Sequence, residues 1–194
     1  FLQIRTLRSW AKKEAASPMT REELAREEPR TPPFAANLWV AHQLLPGIDA
    51  GTIQHVFEGG SGQEPLFRQL EQLGGEKAAS TVIGGELDAP TVATQRNPRR
   101  LHISITNLTK LLTPPPTPET QLLSQNETVD AAIYVYVLDQ LKTTAQQKQA
   151  MAEATRVVRV GGQLIVILPI GKELSQPYLK AMEQLGWQRR PGFP

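Results

Sequence analysis

Residues able to do chemistry are concentrated in one short stretch. The apolar run Ile53 to Phe57 ends in the acid Glu58, passes through Gly59-Gly60-Ser61-Gly62, and opens a segment in which Leu66, Phe67, Leu70 and Leu73 recur at helical spacing. That pattern predicts a strand, a tight turn and a helix. Glycines let the backbone come close to a ligand, and the following helix offers free N–H groups and the positive end of its dipole. At the carboxyl end of a central strand in a parallel sheet, such a turn lies where the strand order reverses, which is where ligands collect. A second acid, Glu86, ends the apolar run Ala79 to Gly85. A carboxylate there can accept both hydroxyls of a ribose, or merely cap the strand; Asp88, two residues on, could do the same work in a shifted register.

Other chemistries fit less well. A dinucleotide fingerprint needs a third glycine where Pro65 stands, and a phosphate loop needs a lysine before a hydroxyl, which does not follow. The nucleophile elbow G-x-S-x-G is approached by Gly59-Gly60-Ser61-Gly62-Gln63, but its last glycine is replaced and no histidine follows His102. The absence of cysteine removes disulfides, thiolate metal sites and thiol nucleophiles. His42 and His55 have no second ligand at metal spacing and are read as packing or surface residues. Asp139 could take an acidic proton, although a loop aspartate is more often solvated, so no catalytic residue and no metal ligand is assigned.

The second half of the chain carries a family resemblance. Glu153-Ala154-Thr155-Arg156-Val157-Val158-Arg159-Val160-Gly161-Gly162-Gln163-Leu164 resembles the E-x-x-R-V-L-R-P-G-G-x-L signature of class I S-adenosylmethionine-dependent methyltransferases, with Val160 in place of the proline. Read this way, Val56 to Glu64 is similar to the first motif, V-L-D-x-G-x-G-x-G, with Glu58 as the acid, Gly60 and Gly62 as glycines, and Glu64 replacing the third. Val82 to Asp88 resembles the second strand and Val129 to Ile133 the fourth. The resemblance covers roughly Phe34 to Trp187. It implies a Rossmann-like, doubly wound, mostly parallel α/β sheet, and binding of S-adenosylmethionine by Glu58, Gly60, Ser61, Gly62, Glu86 and Asn107. Asn107 would stand where the family usually has an aspartate for the adenine amino group, its carbonyl oxygen accepting the bond.

Around these motifs, residues 1–33 read as an arm: basic at Arg5, Arg8, Lys12 and Lys13, mixed in charge thereafter, closed by Pro29, Pro32 and Pro33. The arginine-rich start is compatible with mitochondrial targeting character, and a solvated tail is the plainer alternative. The domain proper is expected over residues 34–194. It should begin with an amphipathic helix from Phe34 to Leu45, ended by Pro46-Gly47, with a second helix ending near Leu73 at Gly74-Gly75. Thr113 to Gln125, with its PPPTPE run, is expected as a surface loop. In the strand from Val129 to Val137, Tyr134 and Tyr136 should share a face. Gly161-Gly162 should turn the chain into a fifth strand, Leu164 to Leu168, and Gly186-Trp187 should begin a sixth. The family's last, antiparallel strand is not accounted for, which would leave a sheet edge open to another chain.

Two functions follow as expectations. One is a methyltransferase-like scaffold, weakly catalytic or inactive, held in a larger, RNA-containing assembly, for instance a mitochondrial ribosomal one. Arg5, Arg8, Lys12, Lys13, Arg99 and Arg100 would there contact phosphates and the open edge would meet other proteins. The net charge of +2 and pI near 9.0 permit such a partner. The alternative is an active methyltransferase on RNA or protein. Gly59, as a strand breaker, and Glu64, as a carboxylate in the field a ligand carboxylate would use, speak for the first; survival of Glu58, Gly60, Gly62 and Glu86 speaks for the second. No apolar run reaches the roughly 18 residues that cross a bilayer.

Overall fold

Alternating apolar side chains along the strands feed two separate cores on opposite sides of one sheet. The structure, a computed structural model, describes residues 2–6, 32–111, 117–168, 180, 182–184 and 186–187. In chain order the elements are β1 (Leu2–Thr6), α1 (Pro32–Asp49), β2 (Val56–Gly59), α2 (Pro65–Ala79), β3 (Val82–Glu86), α3 (Ala89–Thr94), β4 (Arg100–Ser104), β5 (Asn107–Leu111), α4 (Pro118–Ser124), β6 (Val129–Val135), a 3-10 turn (Leu138–Gln140), α5 (Thr144–Val157) and β7 (Val158–Leu168). The seven strands lie in the order β1-β7-β6-β2-β3-β4-β5. Every neighbouring pair is parallel except the β4–β5 hairpin.

On one face Val56, Val82, Ala131, Ile133 and Ile165 pack under α1 and α2, which contribute Val40, Leu44, Leu66 and Leu70. On the other, Phe57, Ile83, Ile103, Tyr134 and Val166 pack under α4 and α5 through Leu123, Met151, Ala154 and Val157. Phe57 and Tyr134 meet edge to face, ring centroids 6.4 Å apart, the arrangement their quadrupoles favour. The strands from β2 onward that run parallel therefore follow the doubly wound order 3-2-1-4-5, with helices on both faces. From β2 the chain winds outward to β3 and β4, then returns past β2 to β6 and β7. The reversal falls between β2 and β6.

Several elements differ from the expectation. Helix α1 continues through Pro46 to Asp49. Proline removes one N–H and crowds the carbonyl at His42, but that position is exposed, and burial of Leu44 and Ile48 on the core face keeps the helix going. Helix α2 extends beyond Leu73 across a kink at Gly75, whose φ of 71° and ψ of −170° are non-helical, so β3 starts only at Val82. Part of the expected proline loop is the helix α4: Pro118 sits in its first turn, where a missing N–H costs nothing, and Thr117 and Thr120 form a reciprocal capping box. The three preceding prolines lie outside the described residues.

Tyr134 and Tyr136 do not share a face. Tyr136 takes a left-handed φ of 54°, which ends β6 and turns its ring toward the α1 side, while Tyr134 stays in the opposite core. Nor do Gly161-Gly162 turn the chain before a strand. Helix α5 runs straight into β7 at Val158, and the two glycines make a bulge inside that strand, with Val129 paired to Val158 and Ala131 already to Gln163.

At the outer side of β7 lies β1, in register from Leu2 with Leu164 to Thr6 with Leu168. The first residues of the expected arm are thus a strand, and β7 is an interior strand; residues 7–31 lie outside the described residues. Gly186 is in a turn and Trp187 is in no regular element, its indole N–H donating to Thr155 Oγ1 at 2.8 Å. No described helix is long and apolar enough to cross a membrane.

Candidate functional site

The glycine turn between β2 and α2 is fastened to the end of β3 by its own backbone. Gly60 and Ser61 both donate N–H bonds to the Gly85 carbonyl, at 2.7 and 3.1 Å, and Gly62 N–H donates to Glu86 Oε2 at 2.9 Å. Gly60 is at φ +71°, which strains any other residue, and a Cβ there would lie 2.3 Å from Val137 Cγ2, which would have to move. Gly59 is a regular part of β2, paired with Gly85 and Tyr134, and the ring of Tyr134 occupies the space a Cβ would take, 2.2 Å away. Its glycine is therefore explained by packing, not by loss of strand order. Ser61 is buried, its Oγ accepting from Gln95 Nε2 at 2.8 Å.

Three carboxylates surround this turn and have different environments. Glu58 is buried; Oε1 accepts from Leu66 N–H at 3.4 Å, and Oε2 has no hydrogen-bond partner among the described residues. Burial pushes its carboxyl up to about 8, against the pull of the Leu66 N–H, and Glu64 and Glu86 push the same way. Glu64 occupies the position of the missing third glycine, with the left-handed φ of 59° that a glycine would adopt without cost. Its side chain turns away from the ligand side: the carboxylate accepts N–H bonds from Arg96, at 2.6 Å, and from Asn97, and so clamps the loop before β4. The expected competition between Glu64 and a ligand carboxylate does not arise. Glu86 is half-buried and fully engaged, Oε2 with Gly62 N–H and Oε1 with the N–H groups of Leu87 and Asp88 at 2.7 and 3.1 Å.

Above the turn is a cavity of about 880 Å³, within the range of small-molecule sites. Glu58, Gly60, Ser61, Gly62 and Glu86 all line it. Asn107 does not: it opens β5 as an exposed residue, and its Oδ1 accepts from the N–H and hydroxyl of Thr109. At that strand end the lining comes instead from Ser104 and Ile105. Asp88, the alternative to Glu86, lines the cavity too but caps α3 through Thr91, which holds its carboxyl below the usual range.

Sequence reasoning misses Asn37, Arg68 and Tyr136. Asn37, on α1, is buried; Arg68, on the first turns of α2, is exposed at the cavity wall; Tyr136 directly follows β6 and has a buried hydroxyl. The positions of Asn37 and Arg68 depend on how α1 and α2 lie over the sheet, which no local pattern encodes. Tyr136 has a signal, an aromatic residue at the end of a buried parallel strand beside the reversal point. With Glu86 and Asp88 against Arg68, the lining favours a ligand carrying positive charge and at least one acceptor group.

At the opposite end of the sheet the charged residues hold the scaffold together. Asp130 accepts N–H bonds from Gln54 and His55 and pairs with Arg159; burial pushes its carboxyl up, but these donors outweigh it and keep it low. Arg99 is used internally, with Glu119, the carbonyls of Ser80 and Thr81, and His55, and Arg100 donates to the Asn97 carbonyl. Burial and the Arg99 charge keep His55 below its ordinary range. Among the described residues no group of three His, Asp or Glu is placed to hold a metal ion.

Comparison with known proteins adds a likeness among solved structures. No protein-family model and no curated protein matches the sequence. The chain is similar to an O-methyltransferase family protein from Burkholderia thailandensis, with 13% identity and a TM-score of 0.42 over 93% of this chain. It spans 58% of the length of that protein.

Proposed function

We propose that the cavity at the reversal point is an S-adenosylmethionine site and that the chain is a methyltransferase-like binding domain. The observation that carries this reading is Glu58 Oε2, a buried carboxyl oxygen without a partner among the described residues, on a residue that lines a cavity at the carboxyl ends of parallel strands. A cationic ligand supplies what that oxygen lacks. The cofactor suits the lining, since it offers an ammonium and a sulfonium to the acids and a carboxylate to Arg68 or to backbone N–H groups. Glu58 and the Gly60 to Gly62 turn would hold its amino-acid end, and Glu86 its ribose. The group, when bound, supplies an electrophilic methyl; the chain's own contribution is to fix orientation and exclude water, which requires no named acid or base. The two residues that count against binding in the sequence, Gly59 and Glu64, serve the packing of Tyr134 and the loop before β4 instead.

A second reading rests on Glu86. Its oxygens already hold the N–H groups of Gly62, Leu87 and Asp88, so a ribose must share or displace these bonds. That favours a domain in which the turn has become structural: a scaffold within a larger assembly, RNA-containing and mitochondrial on the reading of its basic start. With Arg99 and Arg100 bonded internally, phosphate contacts in that assembly fall to Arg5, Arg8, Lys12 and Lys13.

Isothermal titration separates the two. Micromolar binding of S-adenosylmethionine, weakened about tenfold by Glu58→Gln, supports the site; the charged hydrogen bond removed is of that order. No heat at millimolar concentration removes the cofactor and leaves the scaffold.

A further inference from the structure

Tyr136 combines three observations that belong together. Its backbone is left-handed at φ 54°, a conformation that is strained for a bulky side chain. Its hydroxyl is buried and has no hydrogen-bond partner among the described residues, although the side chain lines the cavity. Its backbone is pinned in place, the N–H donating to the Ile167 carbonyl at 2.9 Å and the carbonyl accepting from Gln140 Nε2. Strain and an unsatisfied polar group each destabilise the free protein, and both belong to a residue that lines the cavity.

The sheet order says which part of a ligand that space receives. β2 lies between β3 and β6, so the carboxyl ends present Glu86, the glycine turn and Tyr136 in that sequence across the crevice. A ligand with its ribose at Glu86 and its chain over Gly60 to Gly62 brings its far end to Tyr136. This step rests on the cofactor site proposed above. We propose that Tyr136 is a positioning residue whose hydroxyl donates a hydrogen bond to the carboxylate at the amino-acid end of the bound nucleoside. Burial pushes the phenol up to about 12, with Asp139 adding to it, so at neutral pH it is a donor and not a base.

Tyr136→Phe tests this, because it removes only the hydroxyl. Two measurements are made: the melting temperature of the ligand-free protein, and affinity for S-adenosylhomocysteine against 5′-methylthioadenosine, which keeps the nucleoside and lacks the amino-acid end. Removing a buried, unpartnered hydroxyl should raise the melting temperature by about 2–4 °C. Affinity for S-adenosylhomocysteine should fall about tenfold or more, and that for methylthioadenosine should hold. An unchanged or lower melting temperature shows that the hydroxyl already has a partner and overturns the proposal. So does an equal change for both ligands, or a change for neither. If the wild-type protein binds neither compound, the cofactor site fails and this proposal fails with it.

Discussion

Glu58 makes the site's electrostatics measurable without any ligand. Its carboxyl is pushed up by burial to about 8 in the folded chain, against about 4.3 when unfolded. Between those values the folded state holds a proton that the unfolded state has released, so unfolding releases a proton and stability falls as pH rises. The contribution is fully present below the lower value, is lost through the window, and levels off above about pH 8. We expect the melting temperature to decline across that window, as the free energy of unfolding falls by up to about 1.4 kcal/mol per pH unit from this one group. Glu58→Gln should flatten the decline; equal slopes for the two proteins, followed by calorimetry from about pH 5 to about pH 8.5, would exclude the assignment. A cation bound beside Glu58 favours the ionised form, so ligand-saturated protein should show a weaker dependence than free protein.

The bulge in β7 poses the same kind of question for an element. Gly161 and Gly162 are neighbours with different requirements. Gly161 has φ +77° and open space where a Cβ would stand, whereas a Cβ at Gly162 would meet Val158 Cγ1 at 2.6 Å, the Asp130 carbonyl at 2.8 Å and the Arg159 carbonyl at 2.9 Å. Gly161→Ala should therefore cost only the left-handed penalty, about 1–2 kcal/mol. Gly162→Ala must move backbone, and should cost more, about 2–4 kcal/mol, with the Asp130–Arg159 pair disturbed. Denaturant midpoints order the two; the reverse order would mean that the bulge relaxes. These glycines also show why the sequence is only partly legible. A glycine pair is a turn signal, and whether it turns the chain or bulges a strand is decided by pairing with Val129 and Ala131, some thirty residues away in sequence. Likewise, Val56 to Gly62 is readable because strand, glycine turn and helix are local patterns. The packing of Tyr134 over Gly59, the turning away of Glu64 and the reversal at Tyr136 are tertiary. Pro46 and Pro118 mislead for the converse reason: burial of Leu44 and Ile48 carries α1 past Pro46, and Pro118 stands in the first turn of α4, where no N–H is needed.

For the whole molecule, what matters is how the sheet is closed at its β7 side. Removing Leu2–Thr6 uncovers the hydrogen-bonding edge of the eleven-residue strand β7 where it is buried, from Leu164 to Leu168. A long apolar edge of that kind invites pairing with another copy. The truncated protein should self-associate in a concentration-dependent way by light scattering, while the untruncated one keeps its mass; a truncated protein that stays the size of its parent would show that β1 is dispensable.

That border also sets an order of events. The partners Leu2 and Leu164 are separated by most of the sequence, whereas β2, β3 and β4 find one another through short crossovers. Closing so long a loop is entropically slow, so the central strands and their crevice should organise first and β1 should dock last. In hydrogen exchange the amides joining β1 to β7 should then open ahead of the rest. A ligand seated between β2 and β6 would meet a pocket already built while that margin is still breathing.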